Sequence, residues 1–218
     1  MENTVHTDSI SVRTVFFMRF ILKLGIICAI IYCVASSVGL IADKAQLKNE
    51  LIRLHIVANS DSAEDQAVKL QVRDAIVAYL QPAVQKFTDK EEAYRYIREN
   101  LQNLEETANK VLKDLGENIT ATVSLTEEEF DVRKYDTFTL PSGIYDAIRI
   151  EIGAAEGKNW WCVAFPSLCL PATTDAFADT AAASGFSDSL VKTVSEPDGY
   201  EIRFFFLDLL GKVENFFH

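Results

Sequence analysis

Hydrophobic positions follow three rhythms along the chain, and each predicts a different kind of element. From Leu24 to Ala42 there is no charged residue over 19 positions. Arg13, Arg19 and Lys23 precede this run, with aromatics at Phe16, Phe17 and Phe20, and small residues close it at Ala35, Ser36, Ser37 and Gly39. Basic flank, apolar run, small residues is the layout of a secretory signal or a signal anchor. The run approaches the ~20 residues that span a bilayer. Ala35 and Ser37 permit a cut after Ser37, and an uncut leader would remain as an anchor; the sequence leaves both open. Positive charge on the N-terminal side sends the rest of the chain away from the cytoplasm. Cys28 and Cys33 lack the preceding small residues of a lipoprotein signal and read as apolar filler.

The second rhythm is helical. Residues 44–50 form a polar lead-in, readable as a helical stalk, and the β-branched stretch Leu51 to Ala58 predicts a strand. Asn59 to Ser62 turns the chain, with Asp61 and Glu64 spaced as an N-cap and its N3 partner. The helix over 62–80 keeps Val68, Val72, Ile76 and Tyr79/Leu80 on one face, and Pro82 ends or kinks it. Thr88 and Glu91 open a second helix. Its stripe is Ile97, Leu101, Leu104, Ala108, Val111 and Leu115, Gly116 stops it, and Glu92, Arg95, Glu99 and Lys110 occupy the solvated face.

The third rhythm has period two. Ile119 to Leu125 is a strand, and Gly143 to Ile152 alternates with Ile144, Ile148, Ile150 and Ile152 on one side. A Gly-bounded turn from Gly153 to Gly157 leads into Asn159 to Phe165, which predicts a hairpin. Residues 171–195 read as a loose Ala/Ser/Thr/Asp excursion with one short helix. The end, Tyr200 to Phe217, reads as a strand through Phe206 and a helix burying Leu209, Leu210, Val213 and Phe217. The order is β-α-α-β-β-β-β-α. The expected class is α+β, a mostly antiparallel sheet with two long helices on one face, preceded by the N-terminal signal or transmembrane segment. Domain organisation is then 1–42 as leader and 43–218 as a single extracytoplasmic domain.

Composition narrows the function. The 218 residues carry 21 Lys+Arg and 32 Asp+Glu, a net charge of -11. Without residues 1–42, which hold three basic and two acidic groups, 18 stand against 30. So acidic a body repels phosphate backbones, which argues against a nucleic-acid partner. Only His6, His55 and His218 are present, which leaves little for metal sites or cofactor ligation. Cys162 and Cys169, with six residues between them, form either one disulfide in an oxidising compartment or two buried thiols.

Catalytic motifs are incomplete. There is no G-x-S-x-G, and any Ser-His-Asp set must use His55, which sits mid-strand between Leu54 and Ile56. Residues 153–159 resemble a phosphate loop but lack one residue, carry Asn where Ser/Thr is required, and join two strands rather than open a helix. Asp61-Ser-Ala63 and Asp179-Thr-Ala181 lack the glycine of paired aspartyl-protease turns. With 30 acidic residues in the body, a hydrolase using paired Asp/Glu remains the alternative function. No catalytic residue, cofactor or small-molecule substrate is assigned. Arg53, His55, Asn59, Asp61, Asp65, Gln66, Lys69 and Arg73 cluster instead around one strand–turn–helix. Trp160 and Trp161 point to opposite faces of a strand, and tryptophan beside arginine is a frequent interface composition. These ten residues form the candidate partner-binding surface.

The stretch Arg53-Leu-His-Ile-Val-Ala-Asn-Ser-Asp-Ser62, followed by Asp65-Gln66, Lys69 and Val72-Arg-Asp74, resembles the opening motif of the stage II sporulation protein R family. Phe138-Thr-Leu-Pro-Ser-Gly-Ile-Tyr145 and Asn159-Trp-Trp-Cys-Val-Ala-Phe-Pro-Ser-Leu-Cys169 resemble its later motif. Ser142 and Ser167 are mild departures, and residues 171–195 carry no resemblance. The resemblance implies an exported, non-enzymatic signal of endospore formers. Such a protein is made in the forespore and sent into the space between two membranes. There it activates a membrane-embedded aspartic protease of the mother cell, which removes the pro-sequence of sigma-E. The N-terminal segment would be its contact with the membrane.

Overall fold

The computed structural model describes residues 14–28, 31–32, 46–135, 138–166 and 191. The chain divides into two units, Met1–Ala42 and Asp43–His218. Within the first, residues 14–28 and 31–32 are helical and exposed, with Phe16 and Tyr32 at 75%. Among the described residues no helix is long and apolar enough to cross a membrane. Most of the apolar run, the position after Ser37, Cys33, Cys169, Asp179 and the expected elements beyond residue 166 lie outside the described residues, except Val191.

In the second unit the strands are β1 (Ile52–Val57), β2 (Ala121–Phe130), β3 (Arg133–Lys134), β4 (Thr139–Leu140), β5 (Gly143–Ile152) and β6 (Asn159–Phe165). The helices are α1 (Ala63–Val84), α2 (Lys90–Glu99) and α3 (Leu101–Asp114). The class is α+β, but the sheet is mixed. Its order is β2-β5-β1-β6, with β3 and β4 forming a separate small ribbon. β1 runs parallel to β5, while β2–β5 and β1–β6 are antiparallel.

The hairpin expectation fails here. β5 and β6 are joined by a short turn, yet β1 lies between them, pairing Leu54 with Ile148 on one side and with Cys162 on the other. Local turn chemistry cannot report a strand inserted from 90 residues upstream. What β1 does show in sequence is near-continuous apolarity, the mark of a strand covered on both faces. All six of its residues are buried.

The helices lie on one face, as expected, but the second long helix is two. Asn100 (φ -108°, ψ 12°) separates α2 from α3. Its side chain donates to Tyr96 O at 2.9 Å and accepts from Tyr79 Oη at 3.0 Å, local bonds that compete with helix continuation. Both helix starts sit one residue later than the spacing suggests. Ser62, not Asp61, caps α1 by accepting from Asp65 N, and Asp89, not Thr88, caps α2 by accepting from Glu92 N. At the far end the Gly116 stop holds. Gly116 has φ +80°, Glu117 N bonds Leu112 O at 2.9 Å and Gly116 N bonds Lys113 O at 3.0 Å, a Schellman closure. α1 continues through Pro82 and ends at Val84.

The helix-side core joins Ile52, Leu54 and Ile56 of β1 and Ile148, Ile150 and Ile152 of β5 to Val68, Val72, Ile76 and Leu80 of α1, Ile97 of α2, and Leu104, Ala108 and Leu112 of α3. Leu112 takes the place expected for Leu115, which is 40% exposed. On the other face a second cluster gathers Phe130, Phe138, Leu140, Tyr145, Ala147 and Val163. The lead-in is helical over 46–50 but is no free stalk, because Leu47 and Leu51 are buried in this second cluster.

Candidate functional site

The motif residues after β1 form a buckle. β5 must reach β6 across the end of β1, and the β5–β6 link is tied to the β1–α1 turn group by group. Asn59 Oδ1 accepts from Ala154 N at 2.9 Å, Asn59 O from Glu156 N at 3.3 Å and Ala58 O from Gly157 N at 2.9 Å. Asp61 Oδ1 accepts from Lys158 N at 2.7 Å, which is why it does not cap the helix. Lys69 Nζ reaches Lys158 O at 2.9 Å and Gln66 Oε1 at 2.6 Å, while Gln66 Nε2 donates to Ser60 O at 2.9 Å. Asp65 accepts from Asn59 Nδ2 at 3.0 Å and from the Ser60 hydroxyl, and these donors hold its carboxyl below the usual range. Burial lowers the pKa of Lys69, with Asp61 opposing. Two glycines make the approach possible. Gly153 has φ +59° and a Cβ there would overlap Asn59 Oδ1; a Cβ at Gly157 would overlap the Ser60 carbonyl.

Arg53 and His55 point to the face away from the helices. Both were expected on an exposed surface; they are 0% and 4% exposed, as is Lys69 at 4%. Alternation along β1 puts Ile52, Leu54 and Ile56 on the helix side, so Arg53 and His55 enter the second cluster. Arg53 Nε donates to Cys162 O at 3.1 Å and Nη2 to Tyr135 Oη at 2.7 Å. Its guanidinium lies 4.3 Å from the Phe130 centroid and 5.3 Å from that of Tyr145. Desolvation pushes the guanidinium pKa down and the Tyr145 hydroxyl up to about 12. Among the described residues no carboxylate pairs with Arg53, and Nη1 has no partner.

His55 is held on every side. Nδ1 is 2.9 Å from Glu128 Oε2 and Nε2 is 2.8 Å from Asn159 Oδ1, while the ring stacks on Trp161 at 3.7 Å. Glu128 also binds Arg149, whose Nε and Nη2 reach Glu151 Oε1 at 3.0 and 2.8 Å. Trp161 meets Phe130 edge-on at 4.8 Å and the Arg133 guanidinium at 4.7 Å. An imidazole with both nitrogens and a face occupied is a strut between β1, β2 and β6. Among the described residues no three His, Cys, Asp or Glu side chains gather for a metal ion.

The family model described as stage II sporulation protein R matches residues 48–175. Stage II sporulation protein R of Bacillus subtilis (strain 168) is 37% identical over 158 residues, covering 67% of this chain and 70% of that protein. The chain belongs to the stage II sporulation protein R family. No solved structure matches it. The matched segment contains every strand and helix from β1 to β6.

In this family member the ten candidate residues do not form one surface. Asn59, Asp61, Asp65, Gln66 and Lys69 are joined in the buckle. Arg53, His55 and Trp161 pack on the second face. Trp160 lies on the helix face of β6, the last strand of the sheet among the described residues, with Arg73 of α1 stacked over it at 4.4 Å and bonded to the exposed Asp74 at 2.7 Å. Trp160 Nε1 is buried without a partner. Of the expected patch, Arg73 and Trp160 stay together as a polar–aromatic pair at a sheet edge. The reading from residue types missed Glu128, Arg149, Phe130, Tyr135 and Asn159. A signal existed for Arg149 alone, in the placement of charged residues at every second position, Arg53/His55 and Arg149/Glu151, inside otherwise apolar strands. Cys162 is buried in the helix-side core.

Proposed function

We propose that this chain is an exported sporulation signal. It is made in the forespore and delivered to the intermembrane space, where it activates a membrane-embedded aspartic protease of the mother cell to process pro-sigma-E. Membership of the stage II sporulation protein R family, matched over residues 48–175, carries this reading. Two features support it. The basic-flanked apolar run at 24–42 suits export or anchoring, and the polar motif residues His55, Asp61 and Asp65 are engaged in bonds within the fold, which suits action by contact. Activation requires only that one state of the protease be bound more tightly; ~1–3 kcal/mol of difference is a typical coupling.

The contact surface in this proposal is the Arg73–Trp160 edge, and a Cys162–Cys169 bridge fixes the end of β6 beside it. The test is co-expression of the full chain with the protease and its sigma precursor in a non-sporulating host. Precursor processing is expected only when all three are present, and Trp160→Ala is expected to abolish it in a chain that stays folded. Processing without this chain would overturn the proposal.

A further inference from the structure

Among the described residues the outer edge of β2, at the opposite end of the sheet from Trp160, is closed along half its length and open along the rest. In an edge strand alternate residues turn their N–H and C=O outward. At the start of β2 three of those groups are taken by α3. Asn109 accepts from Ala121 N and donates to Ala121 O, both at 2.9 Å, and Glu105 accepts from Val123 N at 3.0 Å. The next outward residues in the alternation are Leu125, Glu127 and Glu129. Apart from the Thr126 hydroxyl, 3.3 Å from Glu127 O, nothing among the described residues bonds their outward groups.

The side chains along this open stretch have one sign. Glu127 and Glu129 are exposed, and among the described residues neither has an ion-pair partner. Across the register Glu127 faces Asp146, already held by Lys90 at 2.5 Å, and Glu129 faces Ile144, which is 48% exposed. Charges on an edge ordinarily deter pairing with a second copy. Here they do so selectively: like charges repel another β2, whereas a strand carrying Lys or Arg at the facing positions gains a cross-strand pair at each.

We propose that residues 125–129 of β2 receive an extended, cationic segment of another protein, added to the sheet as a further strand. The open edge supplies three N–H and three C=O groups, over about 14 Å of strand. Glu127 and Glu129 select basic side chains, and Asn109 and Glu105 end the site at Val123. The inference goes beyond the activation reading and is independent of which protein supplies the segment.

The test uses the full chain, isotope-labelled in detergent micelles, and two synthetic peptides, acetyl-Lys-Val-Lys-Val-Lys-Val-amide and its Glu-for-Lys counterpart. The basic peptide is expected to slow amide exchange at Leu125, Glu127 and Glu129, leaving Thr126 and Glu128, which face β5, unchanged. The double variant Glu127→Lys/Glu129→Lys should bind it about tenfold more weakly. Glu127→Pro removes one outward donor without touching the bonds to β5 and should also weaken binding; if that variant fails to fold, the charge reversal still decides. Absence of protection, equal protection by the acidic peptide, or protection that grows with protein concentration in the absence of peptide would each overturn the proposal, the last by showing that the edge pairs with itself.

Discussion

On the helix side of β1, Ile52, Leu54 and Ile56 belong to a cluster built mainly of aliphatic side chains. On the opposite side of the same strand, Arg53 and His55 meet Phe130, Tyr135, Tyr145, Trp161, Glu128 and Asn159 through hydrogen bonds, stacking and cation–π contacts. Both sides are equally shut from water, so burial alone does not distinguish them. The difference lies in what specifies the packing. Aliphatic groups gain from being out of water and tolerate many partners. The polar–aromatic side must satisfy each buried donor, so it fixes which strand lies beside which: Arg53 requires the Cys162 carbonyl, and His55 requires both Glu128 and Asn159.

This contrast can be broken by substitution, beginning with its largest effect. Leu54→Ala removes a buried side chain at the centre of the helix-side core and is expected to destabilise the fold by ~2–5 kcal/mol in denaturant unfolding. Cys162→Ser should destabilise by ~2–3 kcal/mol through loss of the proposed short-loop bridge; an unchanged mass on reduction and alkylation would show that no bridge exists. Gly157→Ala drives a methyl into the Ser60 carbonyl and should cost ~1–3 kcal/mol by opening the buckle. That loss should appear first as faster amide exchange at Gly157 and Lys158. Arg53→Met is expected to change stability least, within ~1.5 kcal/mol, because removing an uncompensated buried charge offsets two lost hydrogen bonds. A loss as large as that of Leu54→Ala would show that Arg53 stabilises the fold as strongly as the aliphatic core.

The same division explains what was legible in the sequence. The α1 stripe Val68, Val72, Ile76 and Leu80 and the Gly116 stop could be read directly, because each is a local consequence of one element; the alternation of β5 holds for Ile148, Ile150 and Ile152, while Ile144 is exposed and Tyr145 and Ala147 are buried on the other face. The parallel β1–β5 pairing could not, since register between strands 90 residues apart leaves no local trace. Asn100 was a visible break that a continuous leucine stripe obscured. The candidate residues nearly all carry specific contacts within the fold, and residue type alone could not tell such a buckle from an interface. That distinction needed the β5–β6 link, whose Gly153 and Gly157 read as turn residues and serve as clearance for Asn59 and Ser60. Arg73 and Trp160 remain the pair whose role the fold does not exhaust.

The measurement that bears most directly on the proposed role compares pro-sigma-E processing by the full chain with processing by a chain lacking residues 1–42, both co-expressed with the protease in the non-sporulating host and matched for amount of folded protein. Processing is expected with the full chain and absent when the body is retained in the cytoplasm. Equal processing by the two would contradict action from the far side of the membrane.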